Sequence, residues 1–136
     1  MSKFLNGKIA LCAAASVLFL AGCLAGRQSS SPQKTLLHVF VYTPLESATP
    51  QDFENFYSAT KDMVGKIPGL RNVWVGKLRE PIPAEENRIR TYGVGMEFDG
   101  LDALAVYANH PVHAEWVKVF AKVRQQGTTT LDILSE

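Results

Sequence analysis

The residues best suited to chemistry lie in one short stretch, residues 107–116, which reads YANHPVHAEW. It contains two of the three histidines, His110 and His113, with Tyr107 upstream and Trp116 downstream. Imidazole titrates near neutral pH and can take a proton from a bound molecule, while a phenol can donate a hydrogen bond to an oxygen that becomes charged. The stretch therefore indicates a pocket wall. The alternative interpretation is a kinked amphipathic helix whose polar rings are only half buried.

Pro111 divides this stretch between two helices. Proline lacks an amide hydrogen and disfavours helical geometry at the residue before it, so the first helix should end near Asn109. Pro111 then fits the first turn of a second helix, where a missing donor is tolerated. Because the break re-aims the chain, Tyr107 and His113 can point at one spot from two helical segments.

Other kinds of site have little support in the sequence. His110 and His113 have a spacing that helical metal ligands use and Glu115 is close to them, but no recognised zinc pattern follows, so we predict no metal. No phosphate-binding glycine loop or serine nucleophile motif is present, and we expect no cofactor. Both cysteines, Cys12 and Cys23, lie in the first 23 residues, which excludes a disulfide framework or a cysteine nucleophile from the remainder.

Charge and length narrow the class of protein further. The formal net charge of +1 gives no reason to expect a nucleic-acid partner, because proteins that bind nucleic acid usually carry a strongly basic face. A chain of 136 residues leaves room for one domain after a leader is removed.

The first residues have the pattern of a secretory leader. Lys3 and Lys8 precede an uncharged apolar segment, residues 9–20, which has the length of a signal-peptide core. The segment ends in Leu-Ala-Gly-Cys at residues 20–23, which closely resembles the lipobox of bacterial lipoproteins. An ordinary secretory signal with a chance cysteine is the alternative.

The lipobox resemblance implies a membrane anchor. It implies that residues 1–22 are a signal peptide and that Cys23 is lipidated, and residues 23–35 then form a polar, serine-rich tether. Leu24 follows the cysteine where an aspartate would suggest retention at the inner membrane. We therefore expect a lipid-anchored protein of the bacterial cell envelope, at the outer membrane and facing the periplasm.

The remaining segments alternate between strand and helix patterns. Residues 36–43 predict a strand that is apolar on both faces, so each face needs a cover. The helices of a small domain can cover one face, and we expect a second copy of the chain to cover the other. One face carries His38, Phe40 and Tyr42, and the other carries Leu37, Val39 and Val41.

A helix is predicted next, with Thr49 as N-cap and Pro50 at its first position, ending at Pro68-Gly69. Strands follow at residues 70–78 and 88–98, separated by a loop at 80–87, and the last strand spans residues 128–134 after the divided helix. In the third strand, Gly93 and Gly95 share one face, which indicates close approach of another backbone or subunit. The order predicts an α+β, ferredoxin-like βαββαβ domain with an antiparallel sheet and its helices on one face.

Several short motifs occur in order along residues 36–135. They are Leu37-His38-Val39-Phe40, Ile67-Pro68-Gly69-Leu70, Val75-Gly76, Glu97-Phe98, the stretch from Tyr107 through His110-Pro111-Val112-His113, and Asp132. Together they resemble the stress-responsive dimeric α/β-barrel family, often called Dabb, and we assign residues 36–136 to such a domain. The resemblance implies a homodimer whose two sheets pack face to face, with a small cavity between the sheet and helices of each subunit.

One branch of that family is a polyketide cyclase that makes olivetolic acid. The resemblance implies that His113 matches its general base, Tyr107 its assisting tyrosine and His38 a further pocket histidine. Tyr92 stands where the cyclase has another histidine. Asp132 is our candidate to orient the imidazole of His113.

The sequence leaves three hypotheses for function. The first is a pocket that binds a small apolar or aromatic molecule, the second is an enzyme of the polyketide-cyclase or isomerase type, and the third is a purely structural dimer that acts under stress. For the pocket we predict the following ligand-binding residues: His38, Phe40, Tyr42, Tyr92, Val94, Met96, His110 and Trp116.

Overall fold

The computed structural model describes residues 34–136, so the predicted signal peptide, Cys23 and nearly all of the tether lie outside the described residues. The described residues follow the predicted βαββαβ order, with the second helix divided in two. The elements are β1 (Leu36–Tyr42), α1 (Pro50–Lys61), β2 (Leu70–Pro83), β3 (Ile89–Phe98), α2 (Leu101–Asn109), α3 (Pro111–Phe120) and β4 (Thr129–Leu134). No helix within residues 34–136 is long and apolar enough to span a membrane.

The four strands form one antiparallel sheet in the order β2-β3-β1-β4. Strand β1 is therefore internal, with a hydrogen-bonded neighbour on each side. Its ladders place His38 opposite Met96 on β3 and opposite Asp132 on β4. The predicted ferredoxin-like α+β fold is confirmed.

Helix α1 begins where the sequence predicts and ends earlier. The Thr49 hydroxyl accepts a hydrogen bond from the Asp52 amide at 3.2 Å, and the Asp52 carboxylate accepts one from the Thr49 amide at 3.0 Å. The predicted end at Pro68-Gly69 is wrong, because the helix stops at Lys61 and Gly65 has a left-handed φ of 81°. Ile67 is still buried, in the turn that follows the helix.

The break at Pro111 is confirmed. His110 has an extended backbone, with φ −79° and ψ 136°, between the end of α2 and the start of α3. Helix α3 does not continue to Gly127 as predicted and ends at Phe120. The chain after it pairs with the segment that follows β1, through hydrogen bonds from the Leu45 amide to the Val123 carbonyl and from the Gln125 amide to the Thr43 carbonyl.

Strand β2 is longer than predicted. It runs to Pro83 across a register shift between Lys77 and Ile82, so much of the predicted loop at 80–87 is strand. Strand β2 lies at the edge of the sheet, which is where prolines are tolerated in a strand.

An aromatic core fills the space between the sheet and the helices. Phe120 of α3 stacks on Phe56 of α1 with ring centroids 5.2 Å apart, and it meets Phe40 of β1 at 5.4 Å. The Trp116 indole donates a hydrogen bond to the buried Thr60 hydroxyl at 2.9 Å, which fixes α3 against α1.

The opposite face of the sheet carries an apolar row of directly paired residues, Trp74, Gly95, Val39 and Leu131. Trp74 is 51% exposed and Leu131 is 49% exposed. A groove of about 530 Å³ runs along this face. A Cβ on Gly95 would lie 3.4 Å from the Trp74 ring. The room left by Gly95 is occupied by a side chain of the neighbouring strand, β2.

Candidate functional site

The sheet places a histidine and a carboxylate side by side at one edge of the core. His38 and Asp132 face each other across β1 and β4, and His38 Nδ1 lies 2.5 Å from Asp132 Oδ1. The His38 side chain is 17% exposed and that of Asp132 is 44% exposed, so the pair opens to solvent. A carboxylate accepts hydrogen bonds, so Nδ1 of His38 carries the proton. The expectation that Asp132 orients His113 is therefore corrected: Asp132 orients His38.

Tyr107 lies between His113 and His38. Its ring centroid is 4.1 Å from that of His113 and 6.3 Å from that of His38, and the ring also packs on Phe98 at 5.2 Å. Burial raises the pKa of the Tyr107 hydroxyl well above its usual value, because the phenolate would lose its hydration. The phenol thus keeps its proton and remains a hydrogen-bond donor.

A backbone carbonyl sets the proton position on His113. Nδ1 of His113 lies 3.3 Å from the carbonyl oxygen of Ala108. A carbonyl oxygen only accepts, so Nδ1 donates, and in the neutral ring Nε2 holds the lone pair. Burial lowers the pKa of His113, the like charge of His38 lowers it further, and the Ala108 hydrogen bond opposes both effects. The ring therefore favours its neutral, proton-accepting form.

The helix break supplies the Ala108 carbonyl. In a continuous helix this oxygen would accept a hydrogen bond from the amide four residues later, that of Val112. Here the Val112 amide donates to Nδ1 of His110 instead, at 3.2 Å. His110 is thus the N-cap of α3, and its side chain is used in the cap. The carbonyl was missed from sequence, although the proline break was the signal that helical carbonyls are released.

Two predicted wall residues contact the histidines, and two are core residues. Phe40 lies 5.7 Å from His38, and Trp116 lies 5.7 Å from His113, measured between ring centroids. Val94 and Met96 are fully buried in the core.

Tyr42 and Tyr92 belong to a different cluster. They pair across β1 and β3 four residues from His38, which is about 13 Å along a strand. Tyr92 stacks on Phe53 at 5.0 Å and on Tyr42 at 5.7 Å. The predicted convergence of Tyr92 with His38 and His113 is therefore wrong, because the register separates them along the sheet.

The residues that do converge are His38, Tyr107, His113 and Asp132, which we call the histidine site. It offers two imidazoles with defined Nδ1 partners, one protonated phenol and an aromatic surround. Among residues 34–136, no group of three or more His, Cys, Asp or Glu side chains is arranged to hold a metal ion. The arrangement can accept a proton or a hydrogen bond at His113 and donate one from Tyr107.

Comparison with known families identifies the domain. Residues 36–133 match the model of the stress responsive A/B barrel domain, Dabb. The chain belongs to the Dabb family. No curated protein gives a significant match to the Dabb chain.

Solved structures share its fold at low sequence identity. A dimeric ferredoxin-like protein of unknown function from Thermobifida fusca is 20% identical, with a TM-score of 0.59 over 76% of this chain and 93% of that one. A dimeric ferredoxin-like protein of unknown function from Jannaschia sp. CCS1 is 22% identical, with a TM-score of 0.59 over 73% and 97%. The hydroxynitrile lyase from Passiflora edulis is 11% identical, with a TM-score of 0.63 over 77% and 96%. These similarities establish the fold of the Dabb chain.

The lowered pKa of His113 gives a measurable pH dependence. Below about pH 6.5, the usual histidine pKa, the unfolded chain binds more protons at this residue than the folded chain. The stability that His113 contributes is therefore complete above that pH and is lost as the pH falls toward its folded-state pKa. We expect the His113 ring signal in an NMR titration to have a midpoint below about 6.5, and His38→Gln to raise that midpoint by removing a like charge. A His113 midpoint at or above the usual value would contradict this account of the site.

Proposed function

We propose that this Dabb chain is a homodimeric, lipid-anchored protein of the bacterial cell envelope that binds a small molecule at the histidine site. The observation that carries the proposal is the convergence of His38, Tyr107 and His113, with hydrogen-bond partners that set the Nδ1 proton of both imidazoles. Sites for small molecules typically combine an apolar surround with a few converging polar groups.

The chemistry of the site defines the class of ligand. The aromatic rings of Phe40, Phe98 and Trp116 surround the polar groups and favour an apolar or aromatic body. Nε2 of His113 accepts a hydrogen bond and the Tyr107 phenol donates one. The ligand we propose is therefore a small aromatic or apolar molecule with a hydroxyl or carbonyl group.

Proton transfer is a second candidate function, favoured by the hydrogen bond between His113 and the Ala108 carbonyl. That bond leaves the Nε2 lone pair for a proton bound to carbon next to a carbonyl group. The Tyr107 hydroxyl, which keeps its proton, would donate a hydrogen bond to the enolate oxygen that forms. This would be chemistry of the polyketide-cyclase or isomerase type, with His113 as the general base.

The binding proposal is tested by replacing His113. We expect the full chain to bind 2-naphthol, a fluorescent aromatic with one hydroxyl, and His113→Gln to weaken the affinity about tenfold while the fold is retained. His110→Asn is the matched control, because asparagine also caps helices and His110 is committed to the α3 cap.

Fluorescence titration and circular dichroism give the two readouts. Equal losses of affinity in His113→Gln and His110→Asn would contradict binding at the histidine site. A folded dimer on which 2-naphthol has no effect would favour the purely structural alternative. Turnover of an enolisable ketone, with a pH profile that follows His113, would establish the proton-transfer function.

The apolar row on the open sheet face supports the homodimer. Trp74 and Leu131 are half exposed in the single chain, and covering them would remove apolar surface from water. Two of the solved structures with this fold are themselves described as dimeric. A second copy that brings its own sheet face against this one would cover the row in both chains.

Substitution within the row separates this interface from others. We expect Trp74→Lys to give a folded monomer in sedimentation velocity experiments, because an ammonium group would be buried without a partner. Val106→Lys is the control, since Val106 is an exposed apolar residue on α2, away from the sheet face. A dimer that survives Trp74→Lys would rule out this face as the interface.

The lipid anchor rests on the sequence of the leader alone. We expect the full chain, expressed in a bacterium, to partition with membranes and to incorporate labelled palmitate. Cys23→Ser should abolish the labelling, whereas Cys12→Ser keeps it, because only Cys23 ends the lipobox-like tetrapeptide. Labelling that persists in Cys23→Ser would contradict the proposed anchor.

A further inference from the structure

We propose that the far end of the helix-and-sheet core carries a second site, which binds a small oxyanion between Arg90 and Arg124. The site uses none of the residues of the histidine site. The chain runs from His38 along β1 to Pro44, which pairs with Arg124, and extended backbone of that length spans about 20 Å. The proposal is therefore independent of the function proposed above.

Arg90 is a buried cation with unused hydrogen-bonding capacity. It belongs to β3 and is only 4% exposed. Its Nη1 donates a hydrogen bond to the Thr43 hydroxyl at 3.1 Å, while its buried Nε has no partner. The Thr43 hydroxyl itself donates to the Ile89 carbonyl at 2.9 Å. The hydrogen bond that this guanidinium makes is therefore to a neutral hydroxyl oxygen and not to a carboxylate.

Arg124 has a comparable environment. It follows α3, and its guanidinium carbon lies 4.6 Å from the centroid of the Phe120 ring. Its Nε is also buried without a partner. The aromatic ring stabilises the charge through its π-electrons but accepts no hydrogen bond at Nε.

The backbone brings the two arginines to the same segment. Arg124 forms a β-bridge with Pro44. The β1–β3 ladder ends at the pair Tyr42 and Tyr92, and just beyond it the Arg90 side chain bonds to Thr43, the residue before Pro44. Both arginines therefore contact the same two-residue segment, Arg90 through its guanidinium and Arg124 through its backbone. Arginine side chains are long enough to converge on a common small ligand beside that segment.

Arg90 and Arg124 differ from the other arginines because neither has a carboxylate partner in the part of the chain that the structure describes. Within residues 34–136, the remaining arginines Arg71, Arg79 and Arg88 each pair with a carboxylate. The ion pairs found within residues 34–136 include neither Arg90 nor Arg124, although Arg90 is the most buried of these five arginines. A buried charge is costly unless an opposite charge and hydrogen bonds offset the lost hydration. A bound anion would supply both.

Guanidinium groups define the class of ligand. Their planar fork of N–H donors matches the oxygens of a carboxylate or a phosphate. The Tyr42 hydroxyl is a further buried donor without a partner, and its ring lies 5.0 Å from that of Phe120, on which Arg124 also packs. Inorganic phosphate and a small organic carboxylate share this oxyanion chemistry.

Calorimetric titration of the full chain in detergent tests the site, with inorganic phosphate and acetate as separate probes at matched ionic strength. We expect saturable binding of at least one probe, and an affinity loss of about tenfold or more in Arg124→Gln and in Arg90→Gln. Arg79→Gln is the matched control, because Arg79 is an exposed arginine whose carboxylate partner is its neighbour Glu80. Binding of phosphate but not acetate would identify a phosphate site, and the reverse a carboxylate site.

Two results would overturn the proposal. One is the absence of saturable heat with either probe, which would mean that water satisfies the two Nε groups. The other is equal affinity in Arg124→Gln, Arg79→Gln and the unmodified chain. Arg124 is less buried than Arg90, so Arg124→Gln decides the matter if Arg90→Gln does not fold.

Discussion

The structure depends on the register of the internal strand β1. Side chains alternate between the two faces of a strand, so a slip of one residue would transfer every side chain of β1 to the wrong face. Phe40 and Tyr42 prevent that slip, because each is buried on the helix side and full burial of such a side chain stabilises the fold by about 1.5–3 kcal/mol. His38 shares their face, two residues before Phe40. The same hydrophobic force that fixes the sheet therefore sets His38 beside Asp132.

The helix break is the second constraint on the histidine site, and it exchanges one hydrogen bond for two. The Val112 amide leaves the Ala108 carbonyl and is capped by His110, and the released carbonyl then accepts from His113. Both histidines thus have their Nδ1 engaged, one as acceptor and one as donor. The hydrogen bond between Trp116 and Thr60 fixes the position of α3 along α1. His113, one turn before Trp116, therefore faces Tyr107. The chemistry of the site is consequently set by backbone geometry as much as by residue type.

Short sequence patterns predicted where helices begin and break, because those features depend on interactions within a few residues. Thr49 with Pro50 predicted the start of α1, and Pro111 predicted the division of the second helix, because caps and prolines act within one turn. The end of α1 was not predictable in the same way. Gly65 takes a left-handed conformation after the helix, yet Ile67 beyond it is buried as a helical residue facing the core would be.

The partners of site residues could not be read from sequence, because they depend on register between distant strands. Asp132 is 94 residues from His38, and its position opposite that residue follows from the alignment of β4 on β1. The same alignment problem affected Tyr92, which shares a face with the histidine site but lies at the other end of the sheet. Residue types and the grouping of side chains on one face of a strand were thus predictable, whereas position along the strand was not.

Polar groups lie at both ends of the apolar core, and a different physical reason makes each end compatible with that core. At the histidine end, burial and the proximity of two imidazoles favour a neutral His113. At the other end the cationic groups cannot lose their charge, because arginine stays protonated at any ordinary pH. The rings of Phe40, Trp116 and Phe120 fill the space between and exclude water from it. A cation buried in such a core calls for an anion as its partner, and Arg90 and Arg124 both contact the segment of Thr43 and Pro44 beside which we propose that the anion binds.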